Sequence, residues 1–480
     1  MLLRDLLKKT EIITAAADVN IDIKSICYDT RKLRDGDLFI AIRGYEHDGH
    51  AFIEEAVRKG AACVVCEEMP TTKTPHILVK DSRKALAGIS AAWFGHPASK
   101  LKIIGVTGTN GKTTVTNLIK QTIERCLHEK VGMIGTNGNM IGNMEFIAER
   151  TTPESYEIHE LLSKMVDEGC AYAVLEISSH ALALNRVFGI EYEVGVFTNL
   201  TPDHMDFHES MDDYARVKSQ MFPNCRNAAI NIDDPYALKM ISNTSGTVYT
   251  YAVNNGAADF VAKNIRYSAD KVDFCVLQIG SLNRIELPLP GLFSVYNALA
   301  AISAMMFLGL EIEQVAEALE HCSSVKGRME VVPTDTQYTV MIDYAHTPDA
   351  LRNVLSTVRG FARERVVVLF GCGGDRDKTK RPQMGAIAVK LADYVIVTSD
   401  NPRTEEPGAI IKDILAGMGK TKTPYKVIEN RREAIHWALG NAEPRDVIIL
   451  AGKGHETYQV IGKEKNHFDE REVIAEFFAK

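Results

Sequence analysis

Short apolar runs rich in β-branched residues recur along the chain, and the spacing between them changes twice. Between residues 101 and 326, runs at 103–106, 173–177, 194–198 and 228–232 alternate with amphipathic stretches of helical length. That alternation is the rhythm of βαβ units, in which helices cover a parallel sheet. Before residue 99 the strand candidates are shorter, 38–41 among them, with turn chemistry at Asp35, Gly36 and Asp37 and a break at Gly95, His96 and Pro97. Near Lys326, Gly327 and Arg328 the rhythm lapses, and it resumes with runs at 339–342, 366–370, 394–398 and 447–450. The pattern predicts an α/β protein of three domains, 1–99, 100–330 and 331–480. The longest apolar stretch, 298–310, carries Ser303 and Gly309. It is shorter than the roughly 20 residues that cross a bilayer, so it reads as a buried helix.

Composition narrows the class. A chain of 480 residues needs more than one core, and 45% hydrophobic with 25% charged residues is the balance of a globular protein. A net charge of −8 argues against a nucleic-acid binder, which needs a basic face to neutralise phosphates. The start, Met1 to Asp5, has an acidic residue and no apolar segment before a cleavage site, which predicts a cytoplasmic protein without membrane insertion. Nine cysteines are scattered, and the close pair Cys63 and Cys66 lies in a strand-like run with no second pair at zinc spacing. Buried thiols in a reducing compartment are expected.

The run 103–107 leads into Gly108, Thr109, Asn110, Gly111, Lys112, Thr113 and Thr114 and then into a helix-forming segment. Glycines let backbone N–H groups curl around phosphate oxygens, the helix start adds its positive dipole end, and Lys112 supplies a cation. Thr113 or Thr114 can reach a magnesium ion. A nucleoside triphosphate is the expected ligand, although a strict P-loop would carry glycine at Val106. Two later runs end in polar groups, Glu176 and His204. In a doubly wound sheet the strand ends share one crevice, so both can approach the bound phosphates and a metal.

Three strand ends of the last segment carry further ligand groups: residues 370–377, the run Asp400, Asn401, Pro402 and Arg403, and the run 452–456. Arg376 stands where a dinucleotide fingerprint needs glycine, and Gln459 where a zinc protease needs its second histidine. Neither class is expected. Arg403 follows a proline of fixed φ on a strand-end loop, which suits a planar fork holding a carboxylate.

Over essentially its whole length, the chain resembles the Mur ligases, which share this shortened glycine loop with the folylpolyglutamate synthetases. The resemblance implies a central P-loop-type doubly wound ATPase domain flanked by an N-terminal UDP-binding α/β domain and a C-terminal Rossmann-like α/β domain. It implies that Asn297 meets adenine, that Arg328, Asp343 and His346 belong to the hinge and ribose-contacting elements, and that Lys218 is carbamylated and holds a second magnesium ion. Tyr28, Thr30, Tyr45, Glu46 and His47 fall where the family contacts uridine; Thr151, Thr152, Ser178 and Arg186 fall where it contacts the muramoyl peptide, with Leu184 replacing a common glutamine. Asp400, Asn401, Pro402 and Arg403 match the recognition motif of diaminopimelate-adding members; by the same resemblance Arg381 grips a second carboxylate, and Gly452 and Glu456 hold the distal amino group.

The implied reaction is ATP-dependent addition of meso-diaminopimelate to UDP-N-acetylmuramoyl-L-alanyl-D-glutamate with magnesium, by a monomer that closes near Arg328. A lysine-adding Mur ligase, a folylpolyglutamate synthetase-like ligase and an ATP-hydrolysing switch protein are the alternative readings.

Overall fold

The computed structural model describes every residue except 45, 46, 72, 149, 206, 269, 270 and 480. The expected contacts Tyr45 and Glu46 therefore lie outside the described residues. Three α/β bodies follow one another along the chain, each around its own sheet.

The first sheet has five strands, in the order Ile12–Ala15, His76–Val79, Cys63–Cys66, Leu38–Ile40 and Ile26–Cys27. All pairs are parallel except that of Ile12–Ala15 with His76–Val79. The long central sheet has eleven strands. Its middle is parallel, with Lys102–Thr107 between Tyr192–Phe197 and Tyr172–Glu176. Helix Lys112–Leu127 and the buried helix Leu292–Phe307 cover one face. Ser155–Asp167 and Met211–Ser219 cover the other. The apolar run at 298–310 is accordingly buried within the protein.

The parallel middle matches the βαβ rhythm of the sequence, and antiparallel strands extend the sheet at both ends. On one side Phe260–Tyr267, Val272–Gln278 and Ser281–Leu287 run antiparallel to one another; on the other, Val131–Gly135, Gly138–Ile141 and Met144–Phe146 do so. These end strands alternate buried and exposed positions because only one face is covered, which an antiparallel sheet tolerates.

A six-stranded third sheet completes the protein; its edge strand Glu330–Val332 is antiparallel and the rest are parallel. No helix among the described residues is long and apolar enough to cross a membrane.

Candidate functional site

Backbone geometry at the glycine loop explains its composition. Gly111 caps helix Lys112–Leu127 at φ +87, and a Cβ there would lie 2.4 Å from Asn297 Oδ1. At Gly108, φ is +144 and a Cβ would fall 1.9 Å from Thr198 Oγ1. Only glycine permits both the dihedrals and these approaches. The segment 198–201 clamps the loop from outside: Asn199 Oδ1 accepts from Asn110 N at 2.9 Å, Thr198 Oγ1 donates to Asn110 O at 2.7 Å, and Thr201 N donates to Thr109 Oγ1 at 3.0 Å. Lys112 Nζ donates to Gly108 O and Thr109 O at 3.0 and 2.8 Å, and burial lowers its pKa.

Glu176 ends its strand with the carboxylate almost wholly buried. Oε2 accepts from the hydroxyls of Thr113 and Thr136 at 3.0 Å each, and Oε1 accepts from Thr136 N at 2.8 Å. Gly135 leaves room for it, since a Cβ there would meet Glu176 Oε1 at 2.4 Å. A carboxylate beside a phosphate-loop threonine is an oxygen pair suited to magnesium, which commonly takes one or two carboxylates and completes its shell with phosphates and water.

His204 lies at another strand end with φ +55, 3.4 Å from Asp203 Oδ2 and packed edge-on against His180. Among the described residues no three His, Cys, Asp or Glu side chains converge on one point. Lys218 is buried on helix Met211–Ser219 with Nζ 2.8 Å from Gly108 O and 4.9 Å from the centre of the Tyr214 ring. Burial and then Lys112 hold its pKa well below the ordinary lysine value, which favours the uncharged amine.

A cavity of about 750 Å³ opens between the central and C-terminal bodies, lined by Asn110, Gly111, Thr113, Asn297, Arg328 and Asp343 among others. Its size suits a nucleotide. Arg328 Nη2 donates to Thr113 Oγ1 at 3.2 Å, and its guanidinium stacks on Tyr344 at 4.8 Å. Asp343 accepts from the backbone of Met329 and Ala345 at 2.7 and 2.8 Å, so it also fastens the connection between the two bodies. Burial lowers the pKa of His346 to about 4, leaving its Nδ1 near Tyr344 O at 2.8 Å. Sequence reasoning did not single out Asn199, Thr136 or Asp349. Asp349 Oδ2 accepts from Asn110 Nδ2 at 3.0 Å across 239 positions of sequence, and nothing local signals such a contact.

In the third body Lys453 is fully buried, its Nζ 3.4 Å from Asp400 Oδ1, 3.1 Å from Asn401 Oδ1 and 3.2 Å from Glu456 Oε2. Burial opposes ionisation of Asp400, but Lys453 and Arg431 together outweigh it and lower the pKa; for Glu456 burial prevails and raises it. A Cβ on Gly452, at φ +115, would lie 3.8 Å from the Asp400 carboxylate, so the backbone there stands close to it. Arg403 stands beside this cluster at φ +53 with Nη1 donating to Gly374 O at 2.7 Å. Among the described residues no carboxylate lies within ion-pair distance of it. A left-handed backbone at a non-glycine residue is uncommon and concentrates at functional sites.

Arg381 differs from expectation. Its side chain is 1% exposed and already bound to Glu405 and Asp413 at 2.8 and 2.9 Å. Only Nε lacks a partner, so the guanidinium is not an open carboxylate fork.

Of the expected uridine contacts, Tyr28 donates its hydroxyl to Glu157 Oε1 at 2.6 Å, joining the first body to helix Ser155–Asp167. Thr30 is buried and His47 exposed. Of the expected peptide contacts, Thr151 Oγ1 meets Thr136 Oγ1 at 3.0 Å, Thr152 Oγ1 donates to Glu176 O at 2.7 Å, and Ser178 Oγ accepts from Ala181 N at 3.2 Å. Arg186 pairs with Glu154 at 2.9 Å.

Residues 22–94, 106–305 and 327–454 match in turn the models of the Mur ligase family catalytic domain, the Mur ligase middle domain and the Mur ligase glutamate ligase domain. Relatives at 49% and 45% identity span the whole chain, and the chain belongs to the Mur ligase family. Both relatives, from Caldanaerobacter subterraneus subsp. tengcongensis and Clostridioides difficile, are described as UDP-N-acetylmuramoyl-L-alanyl-D-glutamate--2,6-diaminopimelate ligases, and the alignments cover 99% and 100% of them. A solved structure of a ligase so described is 31% identical with a TM-score of 0.72, covering 100% of this chain and 99% of its own. Folylpolyglutamate synthase from Mycobacterium tuberculosis, 19% identical with a TM-score of 0.64 over 77% of this chain and 92% of its own, shares the fold.

Proposed function

We propose that this chain joins meso-diaminopimelate to UDP-N-acetylmuramoyl-L-alanyl-D-glutamate, converting ATP to ADP and phosphate, as a cytoplasmic monomer in peptidoglycan precursor synthesis. Its domains divide at 99/100 and 330/331. The D-glutamyl carboxylate takes the γ-phosphoryl group, and the diaminopimelate amine displaces phosphate from the resulting acyl phosphate through a tetrahedral intermediate.

The chain's own groups divide this work. Backbone N–H groups of 108–114 and the Lys112 ammonium neutralise charge on the transferred phosphoryl group. Asn297 reads the adenine edge, while Arg328, Asp343 and His346 hold the ribose and phosphates. Thr113, Glu176, His204 and a Lys218 carbamate would hold magnesium, which supplies Lewis-acid stabilisation of phosphoryl oxygens. Residues Tyr28, Thr30 and His47 orient the uridine end; Thr151, Thr152, Ser178 and Arg186 orient the peptide end. Asp400, Asn401, Pro402, Gly452 and Glu456 frame the distal ammonium, and Arg403 takes its carboxylate.

The observation that carries this reading is the Arg403 guanidinium, with no carboxylate of the described residues within ion-pair distance, beside the Lys453–Asp400–Glu456 cluster. One unpaired positive fork next to a net negative cluster complements a zwitterionic amino-acid head. Purified protein with magnesium, ATP and the UDP-linked dipeptide, offered a panel of amino acids, should yield a product whose mass rises by one diaminopimelate residue. ATP consumption without any joined product would overturn the reading.

A further inference from the structure

His208 has no part in the reaction above, yet its side chain is 1% exposed and contacts residues of two helices beside the phosphate loop. Its Nε2 lies 2.9 Å from Ser179 Oγ, at the start of helix Ser179–Ala183. Its Nδ1 lies 3.4 Å from Asp213 Oδ2, in the first turn of helix Met211–Ser219. The ring stacks on Tyr214 at 4.5 Å and 24°, and the backbone N donates to His204 O at 3.0 Å.

Tyr214 carries the contact onward. Its hydroxyl is 3.3 Å from Thr109 Oγ1 in the glycine loop, and its ring lies beneath Lys218 Nζ. Asp213 as a carboxylate only accepts, so Nδ1 bears the proton and a neutral ring accepts the Ser179 hydroxyl at Nε2. Ser179, His208 and Asp213 therefore stand in the order of a nucleophilic triad. Ser179, however, is 2% exposed and lies outside the 750 Å³ cavity, so no substrate reaches its hydroxyl. The arrangement can hold atoms in place; it cannot attack.

We infer that His208 is a positioning residue for phosphoryl transfer, locking the turn of His204 and the Tyr214 ring together so that Lys218 and Thr109 keep their places at the phosphate loop. Two anchored ring nitrogens and one stacked face leave the imidazole no rotational freedom. Tyr214, pinned between His208 and Thr109, transmits that rigidity to the Lys218 amine.

This inference rests on the proposed ligase reaction, and the test separates the two. His208→Phe keeps a stacking ring and removes both hydrogen bonds, while His208→Gln restores a polar group near Ser179. Ser179→Ala breaks the same link from its far end with little change of volume. Initial rates are measured for wild type and all three variants at varied ATP and dipeptide, with melting temperature recorded alongside. The expected result is a kcat for His208→Phe at least tenfold below wild type, with both KM values within threefold, partial recovery in His208→Gln, and a smaller kcat loss in Ser179→Ala. A wild-type kcat in folded His208→Phe, or KM values that rise with no recovery in His208→Gln, would overturn the positioning role. If His208→Phe does not fold, an unchanged kcat in Ser179→Ala overturns it instead. Failure of the wild-type enzyme to make product would sink the ligase reading; the comparison then passes to the rate of ATP hydrolysis, where an unchanged rate in folded His208→Phe overturns the positioning role.

Discussion

Replacing Gly111 by alanine tests the phosphate loop at one atom. The substitution must hold φ near +87, a left-handed conformation that costs an L-residue about 1–2 kcal/mol. Its methyl would also sit 2.4 Å from Asn297 Oδ1, closer than any relaxed contact, so the buried Asn297 amide must leave its rotamer at about 0.5–1.5 kcal/mol. Together these amount to about 1.5–3.5 kcal/mol, charged mainly to the nucleotide-binding geometry because both residues line the cavity. At about 1.4 kcal/mol per factor of ten, kcat/KM for ATP should fall roughly 10- to 300-fold. Coupled detection of ADP release gives that ratio, and a double-mutant cycle with Asn297→Ala separates its parts. Removing Asn297 relieves the collision but not the dihedral strain, so the two substitutions should be less than additive. A Gly111→Ala enzyme within twofold of wild type, or strict additivity with Asn297→Ala, would refute the argument.

Arg403→Lys keeps the charge and loses the planar fork, so KM for diaminopimelate should rise on the order of 10- to 100-fold while KM for ATP holds; an unchanged diaminopimelate KM in steady-state assays would remove Arg403 from the subsite. Lys218→Ala should abolish turnover, with partial return on adding short carboxylates, and full activity without them would disprove the carbamate role. Hydrogen bonds from Arg381 lower the Glu405 pKa to about 2, a depressed carboxylate whose stabilisation is present above the ordinary value near 4.5 and is lost as pH falls towards 2. Melting temperature should therefore drop less between pH 4.5 and 2 in Glu405→Gln than in wild type, and parallel curves would contradict the linkage. Tyr28→Phe deprives the half-buried Glu157 of its donor and should lower stability by about 1–2 kcal/mol, read by denaturant unfolding, without altering KM for ATP.

Where the chemistry is local, it was legible in the sequence. The glycine spacing at 108–114 marks a loop whose dihedrals only glycine adopts, and Glu176, Asp400 and Arg403 announce themselves as polar residues just past apolar β-branched runs. The end strands between 260 and 287 escaped because Asn264 at φ +54 and a bulge interrupt the alternation that would have betrayed them. The pairing of Arg381 was hidden for a different reason: Glu405 and Asp413 lie 24 and 32 positions away, and which partner satisfies an arginine is decided by helix packing. Similarly, Tyr28 and Glu157 meet across 129 residues, so a position that matches a uridine contact is also a bolt between two bodies.

The cations around residues 108–113 already have oxygen partners: Lys112 holds the carbonyls of Gly108 and Thr109, and Arg328 the hydroxyl of Thr113. An arriving triphosphate thus enters an exchange, trading one set of acceptors for another. Its affinity is the difference between two well-bonded arrangements, far smaller than the sum of its ion pairs, and the same protein oxygens stand ready to reclaim each cation when ADP departs. Product release is written into the loop as a competing set of bonds.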